Sequence, residues 1–280
     1  MTAKPGAKGR PGAKQKPPAS TAKGRGKGKG KGKGPARPKA AARPQAKRQS
    51  PLDRWRDFAR HAAKEDPAYD PLAPGLWPPS WPPATYHLSA AKPRRLLYFT
   101  KDFLLKQWLQ RGPLPAGLGA IVRPGLATPN YCALLRREAK ALRQPVLFVG
   151  DCDPYDLTVF LSLQRGSDDL VKHAETAAPV RYLGVDDRWL ALCAAAFSPP
   201  EGGNPDFKLV LTGMTALERR HLEVLLEVAP EIERLVGPRC MQILRAGRKL
   251  ELEGACSRSL YTEGFCGKLL HHVQHAGPRG

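Results

Sequence analysis

Pro145-Val-Leu-Phe-Val-Gly150-Asp151-Cys152-Asp153-Pro154-Tyr155 is the stretch whose reading decides the fold. Its apolar run reads as a short buried strand, and the strand ends abruptly on two aspartates separated by one residue. Pro154 stops the strand and can open a helix at its first turn, where a missing N–H costs little. In open α/β sheets ligands gather at the carboxyl ends of strands, which is where this pattern puts Asp151 and Asp153. Hard divalent ions such as Mg²⁺ take oxygen ligands of this kind and keep several waters. Aspartates after strands also commonly cap helices, so the spacing alone leaves both readings open.

Outward from this stretch, short apolar runs alternate with amphipathic segments, the sequence form of a βαβ protein with a mainly parallel sheet and helices on both faces. Strands are expected at Arg95 to Thr100, Gly119 to Val122, Val146 to Gly150, Arg181 to Val185 and Lys208 to Thr212. Helices are expected at Asp102 to Gln110, Pro129 to Leu142, Tyr155 to Gln164 and Arg188 to Ala195. A helical C-terminal extension should follow, over Thr215 to Val228, Ile232 to Arg245, Lys249 to Ser257 and Phe265 to His272.

The first fifty residues are of another kind. They hold sixteen Lys or Arg and no Asp or Glu, out of a net charge of +21, leaving 30 basic against 25 acidic residues elsewhere. With the repeat Lys27-Gly-Lys29-Gly-Lys31-Gly-Lys33 at their centre and alanine as almost their only apolar side chain, residues 1–50 are expected to be a disordered basic tail. A polycation of this sort condenses on phosphate by counterion release, with DNA as its natural partner; a solubilising low-complexity extension is the alternative. Residues 51–93 read as a short helix and a linker: residues 51–66 are an amphipathic helix carrying Leu52, Trp55, Phe58 and Ala59 on one stripe, docked on the main domain. A proline-dense linker from Pro67 to Pro93 follows it, where regular structure is not expected. Residues 94–280 form the α/β domain with its helical extension.

Six scattered cysteines form no CxxC pair, so neither a zinc site nor a disulfide framework is expected. No apolar run is long enough to span a membrane and no signal-peptide core is present, which places the chain in the cytoplasm, in contact with chromosomal DNA.

The combination of motifs resembles the Toprim domain of the DNA topoisomerase VI A subunit and the related meiotic double-strand-break proteins. Four places carry the likeness: Leu96-Leu-Tyr-Phe-Thr100-Lys101, Arg123-Pro-Gly125-Leu-Ala-Thr128, Asp151-Cys-Asp153-Pro154-Tyr155-Asp156 and Tyr182-Leu-Gly184-Val185. It continues through Gly247-Arg-Lys249-Leu-Glu251-Leu-Glu253 and Gly267-Lys268-Leu269, covering roughly residues 94–272. The resemblance implies a Toprim-like (Rossmann-like) fold, Mg²⁺ held by Asp151 and Asp153, and DNA as partner. A separate chain carrying a winged-helix or ATPase function is implied too.

Two departures qualify what the resemblance implies. The family's third Mg²⁺ ligand is a glutamate at the end of the first strand; here it is Thr100, with Asp102 either a shifted substitute or the cap of its helix. The winged-helix domain that supplies the family's cleaving tyrosine has no room upstream, and no catalytic residue is assigned. Asp156 replaces a glycine, and Asp186 and Asp187 add acidity. Lys101, Arg123, Arg136 and Arg137, with Lys27, Lys29, Lys31 and Lys33 of the tail, are the candidate DNA contacts. His271, His272 and His275 read as a solvated helix end, and Glu251 and Glu253 as a solvated face or as ion-pair partners.

Three functional readings follow. One is a DNA-binding protein that acts noncatalytically or with a partner. The second is a Mg²⁺-dependent nuclease or topoisomerase component, and the third an interaction module that has lost metal and DNA.

Overall fold

The computed structural model describes residues 49–66, 85–88, 93–110, 114, 116–123, 125–126, 129–166, 169–191 and 211–252. The basic tail up to residue 48, the helix expected at Phe265 to His272 and the three C-terminal histidines lie outside the described residues.

The first element is helix α1 (Pro51–Glu65), opened by Ser50, whose side chain accepts a hydrogen bond from the Asp53 N–H, and by Pro51 in its first turn. Strand β1 (Thr85–Leu88) is followed by β2 (Arg95–Phe99), α2 (Asp102–Leu109), β3 (Leu118–Val122), α3 (Pro129–Leu142), β4 (Val146–Val149), α4 (Pro154–Arg165) and β5 (Val180–Tyr182). A hairpin-like pair, β6 (Leu211–Gly213) and β7 (Arg248–Leu250), encloses α5 (Ala216–Val228), α6 (Ile232–Val236) and α7 (Pro238–Arg245).

The sheet runs β1-β3-β2-β4-β5, with β1 antiparallel to β3 and every other neighbour parallel. The α/β class with a mainly parallel sheet is thus as expected. From β2 the chain passes to β3 on one side, then crosses back to β4 on the other. That reversal makes the carboxyl ends of β2 and β4 a topological switch point, the place in such sheets where loops diverge and leave a crevice. Phe99 pairs with Val149 in the register, so Thr100 and Lys101 leave the sheet beside Gly150 and Asp151.

The core is continuous from the sheet to the helices, with Leu97, Tyr98, Phe99, Ile121, Phe148, Leu157, Phe160 and Leu161 fully buried. Helix α1 belongs to it: Trp55, Phe58, Ala59 and Ala62 are buried, and Arg54–Glu227 and Arg220–Glu65 ion pairs flank its contact with α5. The docking expected for this helix is therefore present.

Three expectations are corrected. Strand β1 lies inside the segment read as linker without regular structure; between Pro83 and Pro93 no proline removes a donor, and the strand takes the sheet edge, where one unpaired side is tolerated. The helix expected over Ile232 to Arg245 is two helices, parted at Gly237, whose φ of +88° is outside the helical region. Lys249 and Leu250, expected to start a helix over Lys249 to Ser257, lie in β7 instead, because an antiparallel partner, β6, lies far back in the sequence.

Candidate functional site

Three carboxylates converge on the switch point, each held by a different part of the chain. Asp153 is the N-cap of α4: its Oδ1 accepts from the Asp156 N–H at 2.7 Å, and Pro154 follows as the first helical residue. Asp156, in the first turn of the helix, accepts on Oδ2 from both the Thr100 hydroxyl at 2.7 Å and the Asp151 N–H at 2.6 Å. Asp151 accepts on Oδ2 from the Lys101 ammonium at 2.5 Å and on Oδ1 from the Leu252 N–H at 2.8 Å. All three aspartates are buried, and the residue before them must be glycine: a Cβ on Gly150 would lie 2.8 Å from Asp156 Oδ2 and 2.6 Å from the Phe148 ring.

The C-terminal strand closes the site. Cys152 and Leu250 exchange both backbone hydrogen bonds, at 3.0 and 3.3 Å, which lays residues 250–252 along the end of β4 and presents the Leu252 N–H to Asp151. The side chain of Cys152 is buried, and its hydrogen bond with Cys240 together with burial pushes the thiol well above its ordinary range. It is packing, not a nucleophile.

Electrostatically the cluster is one ammonium among three carboxylates. Burial raises the pKa of Asp151, against the opposing charge and hydrogen bond of Lys101. Burial and the Asp151 charge push Asp153 up to about 6, and burial with both neighbours lifts Asp156 well above the carboxylate range. Burial works against the Lys101 ammonium, but Asp151, with Asp156 and Asp153 behind it, outweighs that and holds it charged. Each carboxylate meets desolvation and like charges; the lysine meets three partners, so both sides move upward together.

These residues do not fit Mg²⁺ as the resemblance would have it held. Both oxygens of Asp151 are engaged, one already by a cation, and Thr100 turns its hydroxyl to Asp156. Asp102, expected as a possible further ligand, forms an ion pair with Lys106 one turn along α2, at 2.5 Å. Among the described residues no three His, Cys, Asp or Glu side chains form a group that could hold a metal ion.

The other expected residues are scattered. Arg123, the residue after β3, is buried, its guanidinium 4.3 Å above the Tyr131 ring, so its assignment as a phosphate contact is corrected: stacking and burial withhold it from solvent. Arg137 is exposed on α3 beside Glu138 and Arg136 is half-buried on the same helix, while Lys101 is tied to Asp151. Lys27, Lys29, Lys31 and Lys33 lie outside the described residues. Asp186 and Asp187 do not face the carboxylates. Asp186 caps the helical turn at 187–191 through the Trp189 N–H, and Asp187 accepts from the N–H groups of Arg239 and Cys240 at the start of α7. Glu251 pairs with Lys249, as its charge pattern suggested.

Sequence reasoning did not foresee the Leu252 N–H as a partner of Asp151, nor Asp156 as the hydrogen-bond hub beneath it. The available signal was an acidic Asp156 close behind the aspartate pair and a neutral hydroxyl, Thr100, at the end of the first strand of the parallel set: the two side chains meet in one hydrogen bond.

No family model and no curated protein matches the chain. Fold and site therefore define its class: an α/β protein with a mainly parallel sheet and a buried, lysine-paired carboxylate cluster at the switch point. Among the described residues no helix is long and apolar enough to cross a membrane.

Proposed function

We propose that this chain is a nucleic-acid-binding protein whose Toprim-like domain acts without cleaving its partner. The observation that carries the reading is the segregation of charge: sixteen cations and no anion in residues 1–50, against +5 over all the rest. A polycation of that density binds phosphate whatever the base sequence. Ser50, the residue that ends this segment, is the N-cap of α1, and α1 is docked through Trp55 and Phe58.

The noncatalytic part of the reading rests on the departures at the carboxylate cluster. Where the family it resembles has a third acidic ligand, Thr100 donates to Asp156, and the aspartates are spent on a cap, a backbone clamp and a lysine. The exposed basic residues Arg137 and Lys140 of α3 offer the domain a modest phosphate-facing surface of its own.

The test is a salt titration of duplex DNA binding by the full chain and by a chain beginning at Gln49, read by fluorescence anisotropy. With about half of the tail cations engaged, log K should fall with log salt at a slope of about −7 for the full chain and much less for the shortened one. Equal slopes refute the role of the tail. Metal-dependent nicking of supercoiled plasmid, abolished by Asp151→Ala with Asp153→Ala, would refute the noncatalytic assignment.

A further inference from the structure

The cation of the carboxylate cluster is part of the chain. We infer that Lys101 is the resident cation of this site, occupying in tethered form the place that a divalent metal would take among Asp151, Asp153 and the strand ends. The parallel register sets Lys101 beside Asp151 as the two strands leave the sheet. The ammonium approaches Asp151 Oδ2 to 2.5 Å; the carboxylate side chain is 2 % exposed and the lysine side chain 32 % exposed, so the lysine enters from the solvent side and seals the carboxylate beneath it.

The ammonium donates to Asp151 Oδ2, and the neighbouring carboxylate oxygens are held by other donors. Asp151 Oδ1 is spent on the Leu252 N–H, Asp153 Oδ1 on the Asp156 N–H, and Asp156 Oδ2 on two donors at once. A metal needs several oxygen lone pairs converging on one point, whereas an ammonium needs only acceptors within reach of its three hydrogens. Thr100 fits the same account. A neutral donor there satisfies Asp156 without adding a further negative charge for the single ammonium to balance.

The consequence is a clamp that assembles with the fold. It joins the end of β2 (Thr100, Lys101), the β4–α4 turn (Asp151, Asp156) and the segment after β7 (Leu252). A tethered cation has no dissociation step and cannot be removed by a chelator. The inference goes beyond the nucleic-acid reading and is independent of it: loss of DNA binding would leave it untouched.

The test uses the full chain and Mn²⁺ as probe, followed by electron paramagnetic resonance and by thermal unfolding with and without EDTA. Wild type is expected to bind no Mn²⁺ and to unfold at one midpoint in Mn²⁺, Mg²⁺ or EDTA. Lys101→Met leaves the buried Asp151 carboxylate without its cation, and the midpoint of that chain is expected to fall by roughly 6–20 °C, in Mn²⁺, Mg²⁺ or EDTA alike. Adding Asp151→Asn to Lys101→Met removes the charge left behind and should recover part of that loss. Stoichiometric Mn²⁺ binding by wild type overturns the inference, and so does a folded Lys101→Met chain with an unchanged midpoint. The wild-type arm decides alone if Lys101→Met does not fold.

Discussion

His221 sits fully buried under α1, between the rings of Trp55 and Phe58 at centroid distances of 5.4 and 5.2 Å, and burial lowers its pKa to about 3. Its Nε2 lies 2.8 Å from the Thr158 hydroxyl, which itself lies 2.8 Å from the Pro154 carbonyl. The hydroxyl has a single proton; if it donates that proton to the carbonyl, Nε2 carries the imidazole hydrogen and donates to Thr158. Unfolding returns the ring to water, where its pKa is near 6.5. The folded state therefore binds fewer protons than the unfolded state between these values. The contribution is whole above about pH 6.5 and falls as pH is lowered, by up to about 1.4 kcal/mol per unit, for a total of about 4–5 kcal/mol. Asp153 works in the opposite sense: raised from 3.8 to about 6, it stabilises the fold below its unfolded pKa and loses that contribution as pH rises toward 6. The comparison that isolates His221 is urea unfolding of wild type and His221→Gln across this window, because the aspartates titrate alike in both chains. Wild-type stability minus that of His221→Gln should decline steadily as pH falls below about 6.5. A flat difference curve would refute the reasoning and show that the imidazole is hydrated, with α1 not seated over it.

Two further substitutions test the docking and the turn. Trp55→Ala removes the largest side chain joining α1 to α5 and should cost about 3–5 kcal/mol, lowering the thermal midpoint by roughly 6–20 °C; a change of under about 3 °C would mean the helix is not packed as described. Gly150→Ala drives a methyl group against Phe148 and Asp156 and should destabilise by about 1–3 kcal/mol, and an unchanged urea midpoint would show that Asp156 does not reach the Asp151 N–H.

Much of the α/β plan was legible along the chain. The apolar runs at 96–99, 119–122 and 146–149 and the amphipathic segments at 129–142 and 216–228 mark elements whose period records which side is buried. The Asp-x-Asp-Pro turn marked the end of β4 and the opening of α4, and with it the place of the site. The stripe of Trp55 and Phe58 marked α1 and its buried face. These signals are local: cap, turn and periodicity are settled among residues a few positions apart.

What each of those residues does there was decided only by tertiary structure. Asp151 meets a backbone donor 101 positions away, Thr100 meets Asp156 across 56, and Thr158 meets His221 across 63. No periodicity carries such pairings. Arg123 reads as a free cation until Tyr131 folds beneath it, Asp187 as loose acidity until α7 begins above it, and Lys249 and Leu250 as the start of a helix until β6 pairs with them. Composition and local pattern determined where charge and carboxylates would collect. Which charge is matched, which is buried and which is left for a partner depends on the sheet bringing distant strand ends together, because the energy of a buried charge is set by its neighbours in space.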